Sequence, residues 1–456
     1  MIPGNIRDAA AAIARRELSP VEITRACLDR IAAESDALHA FITVTADHAL
    51  AEAARAEQEI ARGHYRGPLH GIPVSIKDLV DVAGVPTTCG SRVPARMPTH
   101  DAPVVGNLRR AGAVIVGKTN LHEFAYGTTS DETAFGAVLN PHDRSRSAGG
   151  SSGGAAVALV EGMCYGSLGT DTGGSIRIPA AACGVVGLKG THGEISTDAV
   201  VPLSATFDHV GPLARSVADA ALLFHAMRDG DPRINRLEVQ DDEKVWLGVP
   251  RPYFFDKLDP EVARLFEDAC AALTRAGHTV SDVAIAHAER TPDVYLHIQV
   301  PEASWYHAPA LAAHADLYSP GVRLRFEMGR YILAEDYLRA VHARMVLRAA
   351  VDRALAGLDA LLLPGMAVPP PPVGATTMPV AGKQEPVRAM MLRLTQLFNV
   401  TGHPAIVLPC GTGADGLPRS IQLVGHRGGT DRLLAVAAAV ERQMIGGDGS
   451  VGGGAG

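Results

Sequence analysis

Three short stretches hold the residues whose types and spacing suit chemistry. They are "GIPVSIKDLVDV" with Lys77, "AGGSSGG" with Ser151 and Ser152, and "GTDTGGSIRIPA" with Ser175. A lysine inside an apolar run either snorkels to water or is desolvated. Desolvation lowers its pKa toward neutrality and makes a general base of the free amine. Asp78, next in sequence, would oppose that shift if it pointed inward. "AGGSSGG" satisfies G-x-S-x-G twice, but the residues before it, "NPHDRSRSA", are polar and turn-forming rather than the buried strand a nucleophile elbow needs. No Lys-Ser or Lys-Thr follows, as a phosphate loop would require. The helical run "GGAAVALVEG" follows instead, so the serines sit where a loop enters a helix N-terminus. The plain alternative is a flexible linker. In the third stretch Gly173 and Gly174 directly precede Ser175. Such residues let several backbone N–H groups converge, as an oxyanion hole requires; the alternative is a glycine-rich turn. Together the three stretches supply a base, hydroxyls and an amide nest, enough for acyl transfer without histidine. The eighteen histidines form no metal pattern, and His122-Glu123 lacks the second histidine of H-E-x-x-H, so His122 reads as structural.

The elements that must position these residues are legible in outline. The chain has 456 residues, 47% hydrophobic and 20% charged, which excludes a disordered protein. Net charge is −7 and no basic stripe occurs, so nucleic acid is not an expected partner. Six cysteines lie far apart without a C-x-x-C pair and read as reduced thiols of a cytoplasmic protein. The opening "MIPGNIRDAAAAIARRE" lacks a signal-peptide core, and no apolar run is long enough to span a membrane. "SPVEITRACLDRIAAE" opens with Ser19, Pro20 and Glu22, a capping box with proline at the first helical position. "DHALAEAARAEQEIARG" is a second helix, closed by Gly63. From Pro68 the texture changes to short apolar runs: "GIPVSIKDLVDVAG", "AGAVIVGKTN" and later "DALLLPG" and "AIVLPCG" read as buried strands. Continuous rather than alternating apolar runs suit a sheet covered on both faces by helices. "GPLARSVADAALLFHAM" and "DRLLAVAAAVERQM" read as helices, and so does most of 259–358. "PGMAVPPPPVG" reads as a rigid connection. The expected class is α/β: one large domain over 1–445, its central mixed sheet covered on both faces, with a helical cap-like region. Its parts are N-terminal helices at 1–65, a catalytic core at 66–223 and the mainly helical region at about 259–358. A disordered glycine-rich tail is expected at 446–456.

With these residues in view the chain resembles the amidase signature family. The matching stretches are "GPLHGIPVSIKDLVDVAGVPTTCGS", "AGAVIVGKTNLHEFAYG", "GGSSGGAAVALVEG", "GTDTGGSIRIPAAACGVVGLKGT" and "HVGPLARSVADAALL", with weaker likeness in "RLTQLFNVTGHPAIVLPCG" and "GLPRSIQLVGHR". The resemblance implies that Ser175 is the acyl-forming nucleophile and Ser151 a bridging serine whose peptide bond to Gly150 is cis. Lys77 is then the general base, and the amides of Thr172, Gly173, Gly174 and Ser175 form the oxyanion hole. Ser152 is a supporting residue, and Asp171 is a structural anchor rather than a base. In the family fold the segment of Tyr126, Gly127 and Thr128 should line the acyl pocket. Arg177 either binds a substrate carboxylate or ties the loop. No metal and no organic cofactor are implied. Departures from the family pattern at His142, Glu132 and Gly190 bear on substrate identity.

Three functions follow from these expectations. The first is a stand-alone amidase for small-molecule amides, extending to esters and carbamates of aryl-amide or urethane type, with a homodimer as the assembly considered. The second is the glutaminase component of a tRNA-dependent amidotransferase, which would need partner subunits, ATP and charged tRNA. The third is a non-catalytic scaffold, against which the retention of Lys77, Ser151 and Ser175 argues. Trp305, Tyr306, Phe326, Met328 and Tyr331 form either a hydrophobic substrate entrance or ordinary core.

Overall fold

The computed structural model describes residues 3–230 and 244–446. Eleven strands form one mixed sheet: β1 (Phe41–Val44), β2 (Pro73–Lys77), β3 (Val114–Thr119), β4 (Gly166–Thr170), β5 (Val186–Lys189), β6 (Val210–Ala214), β7 (Trp246–Pro250), β8 (Thr279–Val283), β9 (Ala360–Pro364), β10 (Ala405–Thr412) and β11 (Pro418–Val424). Their spatial order is β1-β3-β2-β4-β6-β5-β10-β11-β9-β7-β8. β3, β2 and β4 run parallel; β6, β5, β10 and β11 alternate antiparallel. Every residue of β2, β3 and β4 is buried. That is what continuous apolar runs require when helices cover both faces.

Local signals set most boundaries. Ser19 caps the helix Pro20–Leu38, its side chain accepting from the amides of Val21 and Glu22. The helix Ala46–Ala61 stops two residues before Gly63, which takes a φ of +85°. Between these helices Phe41–Val44 pairs with β3 as an edge strand, so the 1–65 segment is not helical throughout. "GPLARSVADAALLFHAM" divides as well. Val210–Ala214 extends as β6, and the helix starts only at Val217, where Ser216 accepts from the Asp219 amide. Pro212 disfavours helix, and Ser216 supplies a cap.

The 259–358 region holds the helices Pro260–Arg275, Thr291–His314, Pro320–Met328 and Ala334–Ala354, and it also contributes β8 to the sheet edge. Its aromatic residues do not act as one group. Phe326 is core and packs on Tyr126, ring centroids 4.9 Å apart. Trp305 and Tyr331 are 80% and 83% exposed. The tail expected from 446 onward lies outside the described residues, apart from Gly446, which ends the last helix. Among the described residues no helix is long and apolar enough to cross a membrane.

Candidate active site

Lys77 is the last residue of β2, and Thr170 is the last of the neighbouring parallel strand β4. Groups at the carboxyl ends of parallel strands converge on one edge of an α/β sheet, the usual position of its ligand sites. Lys77 is fully buried. Its Nζ donates to Ser151 Oγ and to Thr170 Oγ1, both at 2.8 Å. Burial lowers its pKa to about 7, against the opposing charges of Asp171 and Asp208. Asp78 does not face it. That carboxylate pairs instead with the buried Lys118 at 2.8 Å.

Ser151 precedes the helix Gly153–Val160, and the Gly150–Ser151 peptide is cis. The turn is packed too closely for larger residues. A Cβ on Gly150 would stand 2.8 Å from the amides of Thr129 and Ser130, and one on Gly154 would stand 2.3 Å from the Ala40 carbonyl. Ser152 faces the sheet instead: its Oγ donates to the Thr170 carbonyl at 3.2 Å, and its amide donates to the Ser175 carbonyl at 3.2 Å.

Ser175 stands at the end of the loop that leaves β4, 6% exposed. Its hydroxyl has no hydrogen-bond partner among the described residues, and neither do the backbone amides of Thr172, Gly173, Gly174 and Ser175. The loop is held through its other groups. Thr395 Oγ1 donates to the Gly173 carbonyl at 2.6 Å, Asn399 Nδ2 to the Asp171 carbonyl at 3.0 Å, and Thr172 Oγ1 to Asp208 at 2.6 Å. Gly174 has a φ of +145°, and a Cβ there would meet Thr395 Oγ1 at 2.4 Å. The carbonyls are fixed from behind while four amides remain open. Such a nest stabilises an anion that develops in front of it.

Asp171 and Arg177 form the brace of this loop. Both are fully buried, with a closest N–O distance of 2.9 Å. Burial alone would raise the Asp171 carboxyl, but Arg177, Lys189 and Asn399 outweigh it and hold it well below the usual carboxylate range. Asp171 Oδ2 also accepts from the amides of Ile176 and Arg177. The Arg177 guanidinium donates to Asp171 through Nε and Nη2, to Thr395 O and Gln422 through Nη1, and to Asn399 through Nη2. All five of its N–H groups are engaged inside the protein. A substrate contact for Arg177 is therefore corrected to a loop tie. Arg177→Met should destabilise the fold by about 3–5 kcal/mol, because it strands a buried carboxylate. Urea denaturation measures this; a change below about 1 kcal/mol would contradict the bracing role.

Two cavities lie close to these loops: the first is lined by Thr129, which packs on Gly150, and the second reaches the nest. One, of about 480 Å³, is lined by Gly127, Thr128, Thr129 and Glu132 among others; the second, of about 410 Å³, by Tyr126, Tyr295, Met328 and Leu392; both include Arg325 and Arg388. Tyr295 links the second cavity to the nest, since its hydroxyl lies 2.6 Å from where a Cβ on Gly173 would stand. His122, read as structural, faces the first cavity, with Nε2 3.2 Å from Glu132 Oε2 and burial pushing its pKa down. Among the described residues no cluster of three or more His, Cys, Asp or Glu side chains is arranged to hold a metal ion. Sequence reasoning missed Thr170, Tyr295, Arg388, Thr395 and Asn399. Only Thr170 lies within a stretch read as chemical; Thr395 and Asn399 fall in "RLTQLFNVTGHPAIVLPCG", matched to the family with no role assigned to them, and Tyr295 and Arg388 come from segments with no local motif.

A family model described as Amidase matches residues 22–434. An amidase of Pseudomonas putida is 38% identical over 445 residues, covering 94% of this chain and 93% of the relative. The glutamyl-tRNA(Gln) amidotransferase of Carboxydothermus hydrogenoformans has an A-type subunit that is 36% identical, covering 94% of this chain and 95% of that relative. A crystal structure of an amidase superposes with a TM-score of 0.91 at 36% identity, covering 96% of this chain and 99% of that one.

Proposed function

The chain belongs to the amidase family, a hydrolase acting on carbon–nitrogen bonds, and from that premise we propose that it is a stand-alone amidohydrolase of small-molecule amides working through an acyl-serine intermediate. One observation carries the reading: a buried amine with a pKa near 7, hydrogen-bonded to Ser151, beside a loop that presents Ser175 with four open amides. In the proposed cycle neutral Lys77 takes a proton through Ser151 as Ser175 Oγ attacks the carbonyl carbon. The amides of Thr172, Gly173, Gly174 and Ser175 receive the oxyanion. The proton returns along the same path to the leaving nitrogen, the C–N bond breaks, and the amine departs. Water then enters, loses a proton to the relay, and releases the acid. The Ser151–Ser175 link of this relay closes when substrate seats, since catalytic hydrogen bonds commonly tighten in the complex. Esters and carbamates, including aryl urethanes, present the same tetrahedral path and fall within the proposal. Gly127 and Thr128 line the acyl side. We place the protein in the cytoplasm, on the strength of six unpaired cysteines.

The purified chain, without ATP or partners, is assayed on an aryl acetamide, an aryl carbamate, a nitrophenyl ester and glutamine. Turnover of amide or carbamate is expected; complete inactivity refutes the stand-alone reading. The similarity to the glutamyl-tRNA(Gln) amidotransferase component favours one rival, a glutaminase working within a complex. That rival predicts glutamine hydrolysis only when partner subunits, ATP and charged tRNA are supplied.

The pH profile is a further expected outcome. The base acts as the neutral amine, so kcat/KM should rise through about pH 7 and level off above it. A profile that falls across that range would exclude Lys77 as the base.

A further inference from the structure

Charged side chains lining the two cavities are matched within the protein, with one exception. Arg325 bonds Glu132 at 2.7 Å, and Lys257 bonds Glu385 at 2.6 Å. Asp131 accepts from Thr129 Oγ1 and from the Gly374 amide, and Arg393 donates to the Tyr253 carbonyl. Arg388, which lines both cavities, has no hydrogen bond or ion pair with any described residue. Its guanidinium carbon lies 5.4 Å from the centre of the Tyr126 ring. Burial lowers its pKa, and the charge acts on the hydroxyls of Tyr295 and Tyr126. Tyr295 is the residue whose hydroxyl adjoins Gly173 of the nest.

We propose that Arg388 is the carboxylate receptor of the substrate cavity, and that the amide this chain hydrolyses carries a carboxylate group. The inference rests on the amidase reading given above. Arg388 is part-buried, its guanidinium rests near the Tyr126 ring, and its N–H groups are left without an acceptor among the described residues. A planar guanidinium with open N–H groups matches a carboxylate in bidentate fashion. The nearby carboxylates Glu132 and Glu385 have cations of their own, so they do not compete for it. Tyr295 and Arg388 line the same cavity, and the Tyr295 hydroxyl adjoins Gly173 of the nest, so one small molecule in that cavity would present its carboxylate to Arg388 and its carbonyl to the nest.

Binding is read apart from turnover by calorimetry on Ser175→Ala chains. Succinate, glutarate and adipate are titrated against succinamide, glutaramide and adipamide. At least one dicarboxylate is expected to bind about 10- to 100-fold more tightly than its diamide, the range of one charge-assisted pair. Adding Arg388→Gln should close that gap, and Arg388→Lys should restore part of it. Turnover is read on the unmutated serine with the half-amide and the diamide of the same length. The preference for the half-amide should lie mainly in KM and should collapse with Arg388→Gln. Failure of all three dicarboxylates to bind, or a preference that survives Arg388→Gln, overturns the proposal. Binding through Arg388 with no turnover of any amide would uphold the receptor and refute the amidase reading instead.

Discussion

Ser175→Ala should lower kcat on any substrate of the panel by about 10⁴- to 10⁶-fold, the scale seen when a serine nucleophile is removed. The nest would remain, since its donors are backbone amides, and it would sustain whatever residual rate is left. The fold should not suffer. Ser175 Oγ has no hydrogen-bond partner among the described residues, so its loss leaves no buried group unmatched. Melting and circular dichroism should therefore match the parent chain while progress curves go flat. A variant that keeps more than about a hundredth of the parental rate would move the nucleophile elsewhere, because such a deficit is too small for the loss of covalent catalysis.

The second large effect is expected at Lys77. Lys77→Met should reduce kcat/KM by about 10²- to 10⁴-fold, the usual contribution of a positioned general base, and should abolish the rise in activity through pH 7. Its stability signature has the opposite sign to that of Arg177→Met. In the folded chain Lys77 titrates near 7, and in the unfolded chain near its ordinary 10.5. Between those values the unfolded state binds more protons, so this residue makes stability rise with pH across the window. Below about pH 7 the fold carries a buried charge throughout. Lys77→Met removes that burden, so its melting temperature relative to the parent should be higher at pH 6 than at pH 9. A variant equally affected at both values would show that Lys77 is not neutralised by the fold.

The contrast between Lys77 and Arg177 shows how far local sequence reaches. The apolar run around Lys77, the glycine pairs around Ser151 and Ser175, and the helix that follows at Gly153 are contiguous signals; strand, turn and helix rules placed these elements, while snorkelling, linker and turn readings stayed open until the family resemblance gave the residues their roles. The role of Arg177 depended on groups that arrive from more than two hundred residues away: Thr395, Asn399 and Gln422. No spacing within "GGSIRIPA" reveals them. Arg388 stayed invisible for the same reason: "EPVRAMML" carries no motif, and the arginine stands out only because its neighbours in space are already paired. β2, β3, β9 and β10 were legible as buried runs, but β1, β6 and β8 were absorbed into helical readings. β8 lies at the sheet edge with a largely exposed sequence, and β6 abuts a well-capped helix. The aromatic residues at Trp305 and Tyr331 looked like core or entrance and stand on the surface, since composition alone does not orient a helix.

The central claim is that amide cleavage passes through a covalent acyl group on Ser175. The most direct measurement is intact-mass analysis, with peptide mapping, of the chain quenched in acid during turnover of a nitrophenyl acetate and of an aryl acetamide, with Ser175→Ala in parallel. The account predicts one acetyl group on the parent chain, mapped to the peptide holding Ser175, and none on the variant. Turnover without any adduct, or an adduct that persists in Ser175→Ala, would contradict it.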